Sequence, residues 1–249
     1  MKILKYEKIK NGMYQVSFDN NYTVDLHEEI ILKYDLLIKK EANEKELEKM
    51  VDENKKYLAY NLSLKYLANK MRTIKEVKEY LIKNNFDKET VDEVIELLIK
   101  EKYLDDNNYS KAFINDRILL SNDGPNKISN KLIDLGVSKS IIDNNISIFT
   151  DDIQKEKIKK IVDKQVSINR NKSVFVLKNK LTNYLYNLGY SNYLIMDYIN
   201  SITLKDDKEI IKKEYDKIYK KLSKKYSGDE LEFKIKQKMY SLGFGKYYE

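Results

Sequence analysis

The feature that most constrains this chain is a short pattern met four times: a leucine or methionine, three residues, then Gly or Asn followed by an apolar residue. It occurs as Leu81-x-x-x-Asn85-Phe86, Leu132-x-x-x-Gly136-Val137, Leu185-x-x-x-Gly189-Tyr190 and Met239-x-x-x-Gly243-Phe244, in steps of 51, 53 and 54 residues. Gly and Asn tolerate the left-handed backbone that ends a helix, and the next apolar residue folds back over the last turn. A period of about fifty residues predicts a repeat architecture, in which neighbouring units bury each other's apolar faces.

The stretch Arg72 to Asp106 shows what one unit contains. Thr73-x-x-Glu76 is a capping box ahead of a helix with Ile74, Val77 and Leu81 at helical spacing. Asp87 is the expected N-cap of a second helix, with Val91, Val94, Ile95, Leu98 and Ile99 as its buried stripe. Lys55 to Lys70 supplies an amphipathic helix ahead of these two.

The predicted class is therefore all-α: tandem three-helix repeats in an elongated curved array, with a small N-terminal β-hairpin. The expected divisions are 1–53 for the hairpin and short helices, then repeats at 54–104, 105–150 and 151–205, with a partial fourth at 206–249. Tyr6 to Lys10 and Met13 to Asp19 read as strands around the favoured turn Asn11-Gly12, and Asn20-Asn21 as a second turn before Tyr22 to Leu26. Glu28 to Leu37 is expected to be one short helix, and Lys39 to Glu53 a charged loop passing into an exposed helix. One Pro and seven Gly in 249 residues suit long helices with short joints.

Charge is unevenly placed. Residues 1–150 hold 25 Lys and Arg against 26 Asp and Glu, whereas residues 151–249 hold 22 against 14. The net charge of +7 thus comes wholly from the C-terminal part, which points to an anionic partner there. From Lys155 to Lys180 there are nine basic residues and two acids. Lys159-Lys160 and Lys212-Lys213 stand one 53-residue step apart, so equivalent faces of successive repeats carry them.

Three Asp pairs, Asp105-Asp106, Asp151-Asp152 and Asp206-Asp207, each open a helical stretch. Paired carboxylates can hold magnesium. Recurrence once per repeat at helix starts is instead what capping of the positive helix end requires. No nucleophile, metalloprotease, Walker or dinucleotide motif is present, so no catalytic residues, cofactor or metal site are expected. The lone His27 reads as a local cap or surface residue, and the absence of Cys removes disulfides and thiolate sites. The 21 Tyr residues read as packing before they read as stacking platforms for bases. Without a membrane-length apolar run or a signal-peptide core, a cytoplasmic monomer is expected.

Three stretches carry a resemblance. Arg72-Thr73-x-x-Glu76-Val77-x-x-x-Leu81 is followed by Tyr103-Leu104-Asp105-Asp106-x-x-Tyr109-x-x-x-Phe113-x-x-x-Arg117, then by Gly124-Pro125-x-x-Ile128-x-x-x-Leu132-x-x-x-Gly136-Val137. Together these resemble the signature of the RecX family, bacterial regulators of the recombinase RecA. The resemblance implies a non-enzymatic protein that binds RecA filaments on single-stranded DNA and damps strand exchange, ATP hydrolysis and co-protease activity. Arg72 and Arg117, the only arginines of the first two repeats, lie inside the motifs, and their planar forks suit phosphate or carboxylate. With Lys127, Lys159, Lys160, Lys212 and Lys213 they form the candidate binding set. The rival reading is a helical-repeat scaffold for a protein ligand with no nucleic-acid role.

Overall fold

The computed structural model describes residues 1–169, 172–204 and 208–245. The Asp206-Asp207 pair lies outside the described residues. Two compact units divide the chain: residues 1–110 with 134–141, and residues 111–133 with 142–249.

The first unit begins with a three-stranded antiparallel sheet in the order β1-β2-β3: β1 (Ile3–Lys8), β2 (Met13–Phe18) and β3 (Thr23–His27). The Asn11-Gly12 turn forms as expected, with φ of 52° and 75°. The second expected turn forms too: Asn21 takes φ 63° and turns the chain back into β3, which adds a third strand to the hairpin. Tyr6 pairs with Val16 and Val16 with Val24, and the inward face buries Val16, Phe18 and Leu26.

Where one helix was expected over Glu28 to Leu37 there are two, α1 (Glu28–Lys33) and α2 (Leu36–Lys39). The break is Asp35, whose φ of 53° is left-handed and cannot continue a helix. His27 is the N-cap of α1, its Nδ1 accepting the Glu29 amide at 3.2 Å.

The charged stretch before residue 53 and the following amphipathic stretch are one 24-residue helix, α3 (Glu44–Leu67). A capping box between Asn43 and Glu46 starts it early, and the expected division at 53/54 falls inside it. Its first half buries Leu47 and Met50 with the sheet, and its second half buries Ala59 with the next two helices.

Those helices are α4 (Ile74–Lys83), with the Thr73/Glu76 capping box, and α5 (Lys88–Lys100), capped by Asp87. Val91, Val94, Ile95 and Leu98 are buried as expected. Ile99 is not: it is 43% exposed, while Thr90 in the first turn of the helix is buried.

The chain continues through α6 (Asp106–Leu120), α7 (Pro125–Asp134) and α8 (Lys139–Ile146), then α9 (Asp151–Ile168), α10 (Val174–Asn187) and α11 (Asn192–Ser201), and finally α12 (Lys208–Leu222) and α13 (Gly228–Ser241). The four expected turn residues all adopt left-handed φ: Asn85 66°, Gly136 85°, Gly189 91° and Gly243 82°.

Glycine has a second reason at three of them. The helix start of one repeat docks on the turn of the next. Thr73 Oγ1 donates to the Leu135 carbonyl at 2.7 Å, the Gly124 amide to Leu188 at 2.6 Å, and Ser173 Oγ to Leu242 at 2.7 Å. A Cβ on Gly136 would lie 2.6 Å from the Lys75 Cβ, and one on Gly243 2.4 Å from Ser173 Oγ. Among the described residues no helix start bonds the Asn84–Phe86 turn, so a Cβ is tolerated at Asn85. Phe86 is accordingly only half-buried, while Val137, Tyr190 and Phe244 are buried.

Candidate binding surface

Arg72 precedes the capping box of α4 and is folded back into the first unit. Its guanidinium lies 4.1 Å from the Tyr66 ring centroid, and Tyr66 stacks on Tyr80 at 3.9 Å with 8° between planes. Nη1 meets Glu76 Oε1 at 3.2 Å, and the side chain is only 17% exposed. A stacked, ion-paired guanidinium of this kind packs the repeat and keeps its fork turned inward.

An Asp pair supplies the helix cap at one of the three expected places and the acidic first turn at a second. Asp105 Oδ1 accepts the amides of Asn107 and Asn108 at 2.8 and 3.0 Å, while Asp106 Oδ1 reaches the Ile74 amide at the start of α4 at 2.9 Å. Burial pushes the Asp106 carboxyl up, against the Ile74 hydrogen bond, with Asp105 and Glu76 adding to the rise. At the next pair the N-cap is Thr150, and Asp151 and Asp152 occupy the first turn of α9, where acids suit the helix dipole. Among the described residues no cluster of three metal-ligating side chains occurs.

In the second unit, the end of α6 is held by an unusual set of polar contacts. Ser121 Oγ donates to the Arg117 carbonyl at 2.9 Å and accepts the Asp123 amide at 3.1 Å. Lys157 of α9 reaches across to the carbonyls of Ile118 and Ser121, the latter at 2.8 Å. Burial pulls the Lys157 ammonium down, and Lys160 adds repulsion, while Asp123 opposes both.

Asp123 itself is buried and accepts from Lys127 and Lys131, each at 2.8 Å. Burial pushes its carboxyl up, but the two lysines outweigh this and hold it below the usual range. Lys127 is therefore consumed by an internal ion pair. Arg117 lies over the Phe113 ring at 4.9 Å.

The four remaining candidates are differently placed. On α9, Gln154, Ile158, Ile161 and Val162 face inward while Lys159 and Lys160 are exposed. On α12, Ile211 and Ile218 pack with Leu231, Ile235 and Met239 of α13, and Lys212 and Lys213 are exposed. None of the four makes an ion pair among the described residues.

Sequence reasoning passed over Lys157, Asp123 and the apolar run Ile118-Leu119-Leu120. Only that run left a signal, three apolar residues ending a helix just before the polar Ser121-Asn122 break.

The relatives match this architecture. The sequence model described as RecX, first three-helix domain, matches residues 59–98, which cover the last nine residues of α3 together with α4 and most of α5. The "Regulatory protein RecX" of Streptococcus uberis is 32% identical over 250 residues, spanning 98% of this chain and 95% of that protein. The chain belongs to the RecX family. A second "Regulatory protein RecX", from Streptococcus gordonii, is 30% identical over 253 residues, with 98% of this chain and 95% of the relative covered. The fold agrees as well: the crystal structure of a regulatory protein RecX superposes with a TM-score of 0.67 at 25% identity, covering 81% of this chain and 99% of that one.

RecX proteins are named as regulatory proteins. Their three-helix repeat is carried here by the Thr73, Gly124 and Ser173 junctions. No helix among the described residues is long and apolar enough to cross a membrane.

Proposed function

We propose that this RecX-family protein regulates the RecA recombinase by binding RecA filaments on single-stranded DNA, and that it damps strand exchange, ATP hydrolysis and co-protease activity. The observation that carries the reading is the pair of exposed lysine doublets, Lys159-Lys160 and Lys212-Lys213, without ion pairs among the described residues, in a chain of the RecX family. Exposed cations at equivalent helical positions can contact successive anionic groups on a polymeric partner, with release of counterions. Arg72 and Lys127 contribute by holding the repeats in shape, since both are engaged internally. The action is steric and electrostatic and needs no chemical step.

Co-sedimentation with RecA filaments assembled on single-stranded DNA tests this. The expected result is saturable co-sedimentation that weakens as salt rises. A protein that stays in the supernatant at low salt contradicts the proposal.

A further inference from the structure

Leu119 and Leu120 close α6 with 77% and 84% of their surface exposed, beside a hollow of about 470 Å³ in the second unit. The wall opposite is α9, which contributes Ile153, Glu156, Lys157 and Lys160. Two adjacent leucines held in water forgo the gain of burial, roughly 25 cal/mol per Å² of apolar surface.

The hollow is also rigidly built. The Lys157 ammonium ties the last carbonyls of α6 to α9, and Ser121 closes the loop behind them. One turn further along α9, Lys160 is exposed at the rim and forms no ion pair among the described residues.

We infer that this hollow docks an acidic segment of a protein partner, which seats a bulky apolar side chain between Leu119, Leu120 and Ile153 and sets a carboxylate against Lys160. Charge complementarity favours this occupant. Phosphate contacts would use the lysines and leave both leucines in water, whereas an acidic, apolar-anchored segment satisfies both kinds of wall. Lys157 and Lys160 against the single Glu156 leave the lining with a positive excess. The inference takes the identity of the partner from the proposed function, and it divides the labour on α9: Lys160 faces protein, while Lys159 remains with the polyanion.

The test compares the parent with Leu119→Ser/Leu120→Ser and with Lys160→Glu. The probes are RecA filaments on single-stranded DNA, the same DNA naked, and a labelled Glu-rich helical peptide with Leu at i and i+4, alongside its Lys-rich counterpart. Both variants change exposed side chains, and circular dichroism checks that they fold.

The expected result is a loss of about tenfold or more in affinity for filaments and for the acidic peptide, a factor worth about 1.4 kcal/mol. Affinity for naked DNA should stay within about twofold for the leucine variant. Unchanged filament and peptide binding overturns the inference, as does an equal loss on naked DNA, which would assign the hollow to nucleic acid. If the parent binds the acidic peptide but no filament, the proposed function fails while the docking site stands. If it binds neither, both fail.

Discussion

Gly189 lies directly against the start of α7: a Cβ added to it would stand 2.5 Å from the Lys127 amide nitrogen and 2.7 Å from the Lys127 Cβ. Its φ of 91° is left-handed as well, so two separate penalties exclude a side chain there. Gly189→Ala should destabilise the second unit by about 3 kcal/mol, combining backbone strain with overpacking. Asn85 has the same kind of backbone without the docked helix, so Asn85→Ala should cost only about 1 kcal/mol. Urea unfolding of the two variants measures the difference, and equal costs would mean that repeat docking adds nothing to the glycine requirement.

Thr73 performs two tasks at once. Its hydroxyl accepts the Glu76 amide as N-cap of α4 at 3.2 Å and donates to the Leu135 carbonyl at 2.7 Å. Thr73→Ala should therefore cost about 2 kcal/mol, at the top of the range for a lone cap. Thr73→Ser keeps both bonds and should recover most of the loss. Thermal unfolding of the pair checks this, and a serine variant as unstable as the alanine one would refute the double role.

These junctions mark where the sequence was legible. The left-handed turns at 85, 136, 189 and 243 could be read from residue type and period, because helix termination is a local matter. That Gly136, Gly189 and Gly243 also receive a neighbouring helix could not, since the contacting residues lie 61, 62 and 70 positions away in Lys75, Lys127 and Ser173. The break at Asp35 was hidden because nothing in its residue type forbids a helix. The early start of α3 was hidden by a dense run of charge that reads as loop, although Asn43 and Glu46 form a capping box. For the candidate site, exposure of the lysines at 159, 160, 212 and 213 follows from helical spacing. The inward commitment of Arg72 and Lys127 depends on Tyr66 and Asp123, which composition cannot pair with them.

Asp106 should make stability depend on pH. Burial raises its carboxyl pKa above the unfolded value, so the folded chain binds the proton more readily than the unfolded one. Its stabilising contribution is complete below the ordinary aspartate range and is lost as pH rises through the raised folded value. Asp106→Asn retains an acceptor for the Ile74 amide without the buried charge. The variant should match or exceed the parent at neutral pH, and any advantage should shrink on acidification. Denaturation midpoints across that window check the sign, and a variant that loses ground as pH rises would contradict it.

The lysine doublets should reveal themselves through salt. Changing Lys159, Lys160, Lys212 and Lys213 to Gln keeps helix propensity nearly constant, so circular dichroism should be unchanged. With Lys160 turned to the protein partner, phosphate contacts by Lys159, Lys212 and Lys213 on a single strand contribute a slope of roughly −2 in log affinity against log salt. The quadruple variant should bind filament-borne or naked single-stranded DNA more weakly and with a shallower slope. An unchanged affinity and slope would make these side chains mere solvation.

The most direct measurement of the central claim is the steady-state ATPase of RecA on single-stranded DNA, with and without the protein. Damping that rises with added protein and saturates is the expected result, with the quadruple lysine variant needing more protein for the same effect. An ATPase rate that stays level at amounts well above that of RecA, with the DNA intact and the protein folded, would contradict the account.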